Sequence, residues 1–245
     1  MLRTPAEGAH PALTMRMRLG VVIPCTYVER LNRFRVTVTI RGRQVDAHLP
    51  NSGRLMELLT PGRRCWVAPV SGRRRKTAYD LKLVEHGDVL VSVDARLPNP
   101  LLAEALEEGR LGPFRACQQF DREVVRGGSR VDFLLRMPEG RLWMEAKSVT
   151  LVENDTARFP DAPTTRGARH VQELSEAVSS GDQAAVVFVV QRADARRFAP
   201  HDEADPTFGQ ALRRAAEAGV GVYAWTCRVT KERMAIAERI RVDLS

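Results

Sequence analysis

The run AAVVFVV, residues 184–190, is the longest unbroken apolar stretch in the chain. Spanning a bilayer takes about 18 or more residues, so a run this short has to be buried in protein. A Val-rich segment with no polar residue on either face reads as a strand covered on both sides. Such a strand needs helices above and below it, and the flanking sequence supplies them. TTRGARHVQELSEAVSSG (164–181) sets Val171, Leu174 and Val178 on one stripe and stops near Gly181, and DPTFGQALRRAAEAG (205–219) stops at Gly219. NPLLAEALEEGRLG (99–112) is a third helix, with Pro100 in its first turn and Gly109 near its end. VGVYAWTCRV (220–229) is another strand. Helix, strands, helix, strand, helix, strand describes an α/β/α sandwich with a mixed sheet.

Before Leu97 the texture differs. RLGVVIP, RFRVTVTIRGRQVDAHL, RCWVAPV, AYDLKLVEH and DVLVSVD are short apolar or alternating segments, punctuated by RG, PG, SG and HG. In RFRVTVTI, Phe34, Val36, Val38 and Ile40 are expected on one face and Arg35, Thr37 and Thr39 on the other. GRLMELL (53–59), preceded by Asn51 and Ser52 as cap candidates, is the one helical segment expected here. About five strands with a short helix between the third and fourth suit a small closed barrel. An OB-fold is the natural candidate, and an SH3-like barrel fits the pattern too. The boundary falls near Asp94–Pro98, which divides the chain into a tail (1–13), a barrel (14–95) and the sandwich (96–245). HLPNSGRL and RLPNPLL both read as Asn-capped helix starts.

Charge follows the same boundary. Residues 1–95 hold 16 Lys+Arg and 8 Asp+Glu, and residues 96–245 hold 22 of each, so the whole excess of +8 lies in the first segment. Basic segments attract polyanions, because neutralising phosphates releases counterions. The bias of 34 Arg to 4 Lys explains the type of cation but not its confinement. Nucleic acid is the expected partner, and a membrane is not. The first 20 residues lack an apolar h-region, so no signal peptide is expected. Cys25, Cys65, Cys117 and Cys227 are widely spaced with no C-x-x-C pair, which suits a reduced, cytoplasmic chain rather than a disulfide framework or zinc ribbon. P-loop, G-x-G-x-x-G and Ser/His/Asp patterns are absent, and His10, His48, His86 and His201 lack metal-ligand spacing.

One hairpin breaks the apolar rule. RVDFLL (130–135) and RLWMEAKSV (141–149) flank RMPEG, with Pro138 and Gly140 as turn residues. Asp132 lies in the first strand, and Glu145 and Lys147 in the second, on one face and roughly 7 Å apart along it. Two carboxylates about 4 Å apart repel by ~4 kcal/mol at an effective dielectric of 20. They can share a proton, pair with Lys147, or bind a divalent cation. Hard Mg²⁺ takes carboxylate and carbonyl oxygens, and a bound cation acidifies its water. That is a minimal apparatus for phosphodiester hydrolysis. A second D-x-K, Asp80-Leu81-Lys82, has no partner Asp within hairpin distance. Lysine in the middle of an apolar strand, in a chain that prefers arginine, adds to the case for Lys147.

The spacing Asp132-x12-Glu145-x-Lys147 within alternating βαβ texture resembles the PD-(D/E)xK nuclease superfamily, with Val131 where the motif has Pro. The resemblance implies Asp132, Glu145 and the Ala146 carbonyl as ligands for Mg²⁺ or Mn²⁺ and Lys147 as catalytic lysine. It also implies Glu104 as an auxiliary acid on the preceding helix. On the following helix Arg166, His170 and Glu173 form a row, from which Arg166 and His170 would face a scissile phosphate. A wider resemblance runs through YVERLNRFRVTV, AHLPNSGRLMELL, RRKTAYDL, EAKSVTL, FPDAPTTRGARHVQEL, VVFVVQRADARRFAP and DEADPTF. In that order these segments are similar to the sugar fermentation stimulation protein A family. That resemblance implies an N-terminal OB-fold joined to a restriction-endonuclease-like domain, DNA binding with little sequence preference, and a link to regulation of maltose metabolism.

On the barrel, SGRRRKTAYD (71–80) holds Arg73, Arg74, Arg75 and Lys76, expected to grip phosphates while Tyr79 stacks on a base. Arg33, Arg35, Arg41 and Arg43 on one hairpin, and Arg54 beside Gly53, are expected on the same surface. Three functions remain open on these residues: a non-catalytic DNA-binding protein, a Mg²⁺- or Mn²⁺-dependent nuclease, and a small-ligand or protein-interaction module. Oligomeric state is left open.

Overall fold

Alternation in the N-terminal segment closes a barrel in the computed structural model, which describes residues 17–72 and 75–245. After a two-residue strand β1 (Met17–Arg18) come β2 (Ile23–Asn32), β3 (Arg35–Ile40), β4 (Arg43–His48), β5 (Arg64–Pro69), β6 (Tyr79–His86) and β7 (Val89–Ser92). Strands β4-β3-β2-β5-β6 pair in that order, and a parallel ladder from β4 to β6 joins the ends, with Ala47 opposite Tyr79 and His48 opposite Asp80. This is the five-stranded OB arrangement. Val36, Val38, Ala47, Val67, Leu81 and Val84 fill the interior. Cys25 and Cys65, far apart in sequence, are direct partners on β2 and β5, with their sulfurs 3.2 Å apart.

Three expectations are corrected here. Residues 53–59 form a single turn rather than a helix, because Leu55 takes a left-handed φ of 53° and its N–H goes to Asp161 Oδ2 at 3.1 Å. Arg30 clamps that loop from below through the carbonyls of Gly53 and Arg54, each at 2.7 Å. Phe34 does not join the core: it sits in the turn before β3 and is 45% exposed. Residues 17–19 serve the other sheet, since β1 pairs with a C-terminal strand and Leu19 packs into that core. The expected tail, residues 1–13, lies outside the described residues.

The second unit contains α1 (Pro98–Glu107), β8 (Gln119–Arg126), β9 (Ser129–Met137), β10 (Gly140–Val149), β11 (Val152–Glu153), β12 (Thr156–Phe159), α2 (Thr165–Ser179), β13 (Gln183–Val190), β14 (Arg197–Pro200), α3 (Pro206–Glu217), β15 (Gly221–Val229) and β16 (Arg233–Val242). Its strand order is β11-β12-β14-β16-β15-β13-β10-β9-β8. β13, which holds the apolar run, pairs in parallel with both β10 and β15. Leu101, Leu102 and Ala105 of α1 cover one face, while Val171 and Leu174 of α2 and Phe208 and Leu212 of α3 cover the other. Thr164 Oγ1 caps α2 by accepting from Gly167 N (3.0 Å), and Asp205 Oδ1 caps α3 by accepting from Phe208 N (2.9 Å). α1 has no side-chain cap, and Asn99 lies inside its first turn rather than before it. The strand β16 went unread because its arginines interrupt any clean period of two and its pairing with β15 slips at Trp225–Cys227.

Barrel and sheet share one core. Trp66 and Leu83 pack with the α1 face, and Ser92 bonds Gln191 through backbone (3.0 Å) and side chain (3.1 Å). The second D-x-K, Asp80-Leu81-Lys82, is used at this junction. Asp80 is bonded by Arg75 and by Arg96 (2.8 Å), while Asp94 accepts from Lys82 (2.6 Å) and Arg96 (2.7 Å). Burial alone would raise the Asp94 carboxyl, but the bonds from Arg96 and Lys82 hold it below its ordinary range. A carboxylate depressed in the folded state stabilises the fold above its ordinary range and loses that contribution as pH falls through the folded value. Breaking such a buried pair costs about 3–5 kcal/mol. Asp94→Ala is therefore expected to lower Tm at pH 7 by on the order of 10 °C. The gap to wild type should narrow below about pH 4 in thermal unfolding.

Candidate functional site

The β9–β10 ladder runs from the Met137–Gly140 pair to Phe133–Met144 and stops one pair short of Asp132 and Glu145. In place of the next rung, Asp132 Oδ2 accepts a hydrogen bond from the backbone N–H of Ala146 at 2.8 Å. Asp132 Oδ1 accepts from Asn99 Nδ2 at 2.7 Å. Trp143 packs on the α2 face and Met144 on the α1 face, so alternation turns Glu145 and Lys147 towards α2. There Glu145 Oε1 accepts from Lys147 Nζ (2.7 Å) and from His170 Nδ1. Arg166 Nε donates to His170 Nε2 at 3.2 Å. With Nε2 an acceptor, the imidazole donates to Glu145 through Nδ1.

The two carboxyls respond oppositely to one buried environment. Burial pushes Glu145 up, but the His170 bond and the Lys147 charge outweigh it and bring the group to about 2. Burial and the neighbouring Glu145 charge raise Asp132, which the Ala146 N–H, Asn99 and Lys147 offset only in part. Surplus negative charge thus sits on Asp132 at the floor of a cleft of about 580 Å³. Ser52, Ala95 and Arg96 wall the cleft on the barrel side, Arg122 and Glu123 of β8 form a second wall, and Arg166 of α2 forms the third.

This donor set fits a hard divalent cation. Asp132 and Glu145 offer carboxylate oxygens, and Glu145 Oε2 has no protein hydrogen bond among the described residues. Burial and the neighbouring Glu145 charge both disfavour the ionised form of Asp132, and a cation between the two carboxylates would relieve both. Among the described residues no group of three His, Cys, Asp or Glu gathers around one point. A cation held here would therefore keep several waters, as Mg²⁺ does.

The other expected site residues are distributed as follows. Arg166 and His170 reach the cleft, while Glu173 turns away to accept from Ser129 Oγ at 2.6 Å. Glu104 does not match its expected role: it pairs with Arg110 and is absent from the cleft lining. Ala146 gives its N–H to Asp132. Asn99, Arg96 and Arg122 were not anticipated. Asn99 was hidden because Asn before Pro reads as a helix cap.

On the barrel a groove of about 470 Å³ is lined by Asn32, Phe34, Arg35, His48, Arg75, Lys76 and Thr77. It lies between the β2–β3 turn, the face of β3 and β4, and the β5–β6 loop, where OB-folds bind oligonucleotides. Arg35 and Lys76 line it, although Arg35 also pairs with Asp46. Arg75 lines it too, while bonded to Asp80. Arg33 lies 5.5 Å over the exposed Phe34 ring. Tyr79 is corrected: it is half-buried against the barrel core, and Phe34 is the exposed aromatic. Arg54 lines neither groove nor cleft, and Arg41 and Arg43 sit at the far end of the β3–β4 hairpin from Arg35 and His48. Arg73 and Arg74 lie outside the described residues.

Residues 96–233 match the family model described as "Sugar fermentation stimulation protein RE domain", and residues 28–93 match "SfsA N-terminal OB domain". A sugar fermentation stimulation protein homolog of Desulforamulus reducens is 42% identical over 233 residues, covering 95% of this chain and 97% of the relative. One from Alkaliphilus metalliredigens is 45% identical over 225 residues, covering 91% and 97%. A solved structure of Pyrococcus furiosus SfsA in complex with Ca²⁺ is 31% identical, with a TM-score of 0.86 over 94% of this chain and all of that one.

A carboxyl raised by folding favours the folded state below its ordinary range and loses that contribution as pH rises through the folded value. Asp132→Asn removes the charge and keeps the shape. In EDTA its Tm should match or exceed that of wild type at pH 7. The difference should shrink towards pH 4, as read by thermal unfolding.

Proposed function

The chain belongs to the sugar fermentation stimulation protein family, and from that premise we propose that it binds DNA with little sequence preference and holds a divalent cation between Asp132 and Glu145. The barrel groove is the observation that carries the binding reading. It combines cations with an exposed aromatic ring, groups that meet phosphates and base faces rather than base edges. The confinement of the +8 excess to residues 1–95 supports the same reading. A relative described with Ca²⁺ makes a hard cation the natural occupant of the two carboxylates.

Lys147 favours a further reading, phosphodiester hydrolysis in the cleft. Its Nζ gives one hydrogen to Glu145, which leaves two N–H donors for a phosphate oxygen or an attacking water. His170 fixes the orientation of the Glu145 carboxylate, and Arg166 offers guanidinium hydrogens to the phosphate. A divalent cation would supply Lewis acidity and an acidified water.

DNA affinity should fall steeply with salt, by anisotropy titration between low and physiological ionic strength. Saturating Mn²⁺ or Ca²⁺ at about 100 times Kd should add ~2.7 kcal/mol of stability, several degrees in Tm, and Glu145→Gln should abolish the shift. With Mn²⁺ and plasmid DNA, cleavage lost in Lys147→Met while DNA binding persists supports hydrolysis. Binding without cleavage by wild type leaves a DNA-binding protein alone.

A further inference from the structure

The barrel groove and the cleft are joined through one carboxylate. Arg35 on β3 is paired with His48 on β4, and His48 with Asp80 on β6, so one row crosses three strands, roughly 10 Å at the usual spacing. At the end of that row Asp80 Oδ1 is bonded by Arg75, which lines the groove. Asp80 Oδ2 accepts from Arg96 Nη2, at 2.8 Å, and Arg96 lines the cleft. Two guanidiniums, one from each site, share the same anion. Arg96 still has donors to give. Its bonds use Nε and Nη2, both Nη1 hydrogens lack a protein acceptor among the described residues, and its side chain is 51% exposed.

We infer that the ligand is a single strand of nucleic acid that occupies groove and cleft at once. One base stacks on Phe34, and the backbone passes Lys76, Arg75 and Arg96 to reach Arg166 beside Asp132 and Glu145. The inference rests on the DNA-binding reading above and adds strandedness and path. Stacking on an exposed ring needs a base out of its pair, and it tolerates any sequence. Lys76 and Arg75 of the groove connect to Arg96 and Arg166 of the cleft through the one carboxylate that Arg75 and Arg96 share, a continuous line of contacts for one phosphate chain. Residues of β8, of α2 and of the barrel loop at Ser52 line the cleft, so a backbone that enters it passes between elements rather than across an open face.

Anisotropy in EDTA tests this with oligo-dT of about four and about twelve nucleotides and a blunt duplex of the longer length. The longer oligo-dT should bind roughly tenfold or more tightly than the duplex. Phe34→Ala should weaken both oligo-dT lengths about five- to hundredfold, and Phe34→Trp should restore them. The gain from short to long should disappear in Arg96→Gln and in Arg166→Ala, the latter serving if the former does not fold. A duplex bound as tightly as single strand overturns the inference alone. So does oligo-dT affinity unchanged in Phe34→Ala, or a length gain that survives the arginine substitutions. If the folded protein binds neither form at low salt, the DNA-binding reading itself fails, and the inference with it.

Discussion

Where the ladder between β9 and β10 ends, the N–H of Ala146 turns to the carboxylate of Asp132 at 2.8 Å, and the cleft depends on that substitution. The half-buried Ala146 N–H has no acceptor on β9 at this point, and the Asp132 side chain takes the place of the missing strand. The bond in turn fixes Asp132 at the point where two strands part and the sheet opens to solvent. Ala146 lies on β10, which is zipped in parallel to the doubly covered β13 along its length. The fork therefore inherits the rigidity of the sheet centre, and a site built on such elements holds its geometry better than one built on loops.

The same tripeptide pattern, acid-x-Lys, occurs twice with opposite outcomes, and charge balance is the reason. At the domain junction Asp80 and Asp94 face three cations, Arg75, Arg96 and Lys82, so nothing further is required to neutralise them. In the hairpin, Asp132 and Glu145 have Lys147, with His170 also bonded to Glu145. Both of those partners bond Glu145, whereas Asp132, buried beside that charge, is compensated only in part. The junction network ties barrel to sheet, and the hairpin leaves Asp132 only partly compensated.

Legibility tracked how local each signal was. The apolar run of β13, the stripes of α2 and α3 and the alternation of β3 were readable because burial imposes a period on consecutive residues. The charged hairpin was readable because charge is conspicuous against an apolar background. Asn99 was not, since its role is a contact with Asp132 across 33 residues. Phe34 was misassigned by one turn: it continues the alternation of RFRVTVTI in sequence, yet precedes β3 in space. The helix expected over residues 53–59 gave way to contacts from Arg30 and Asp161, partners that no window around the segment contains.

The chain's order of residues alone determined a basic strand-rich unit, a sandwich around one doubly covered strand, and Asp132, Glu145 and Lys147 as its out-of-place charges. Those follow from burial and from composition, which act residue by residue. Only the tertiary structure decided which cations stay available, because a guanidinium's partners come from wherever the fold brings a carboxylate. It turned Phe34 outward and set the barrel against the sheet so that one arginine lining each cavity, Arg75 and Arg96, bonds the buried Asp80.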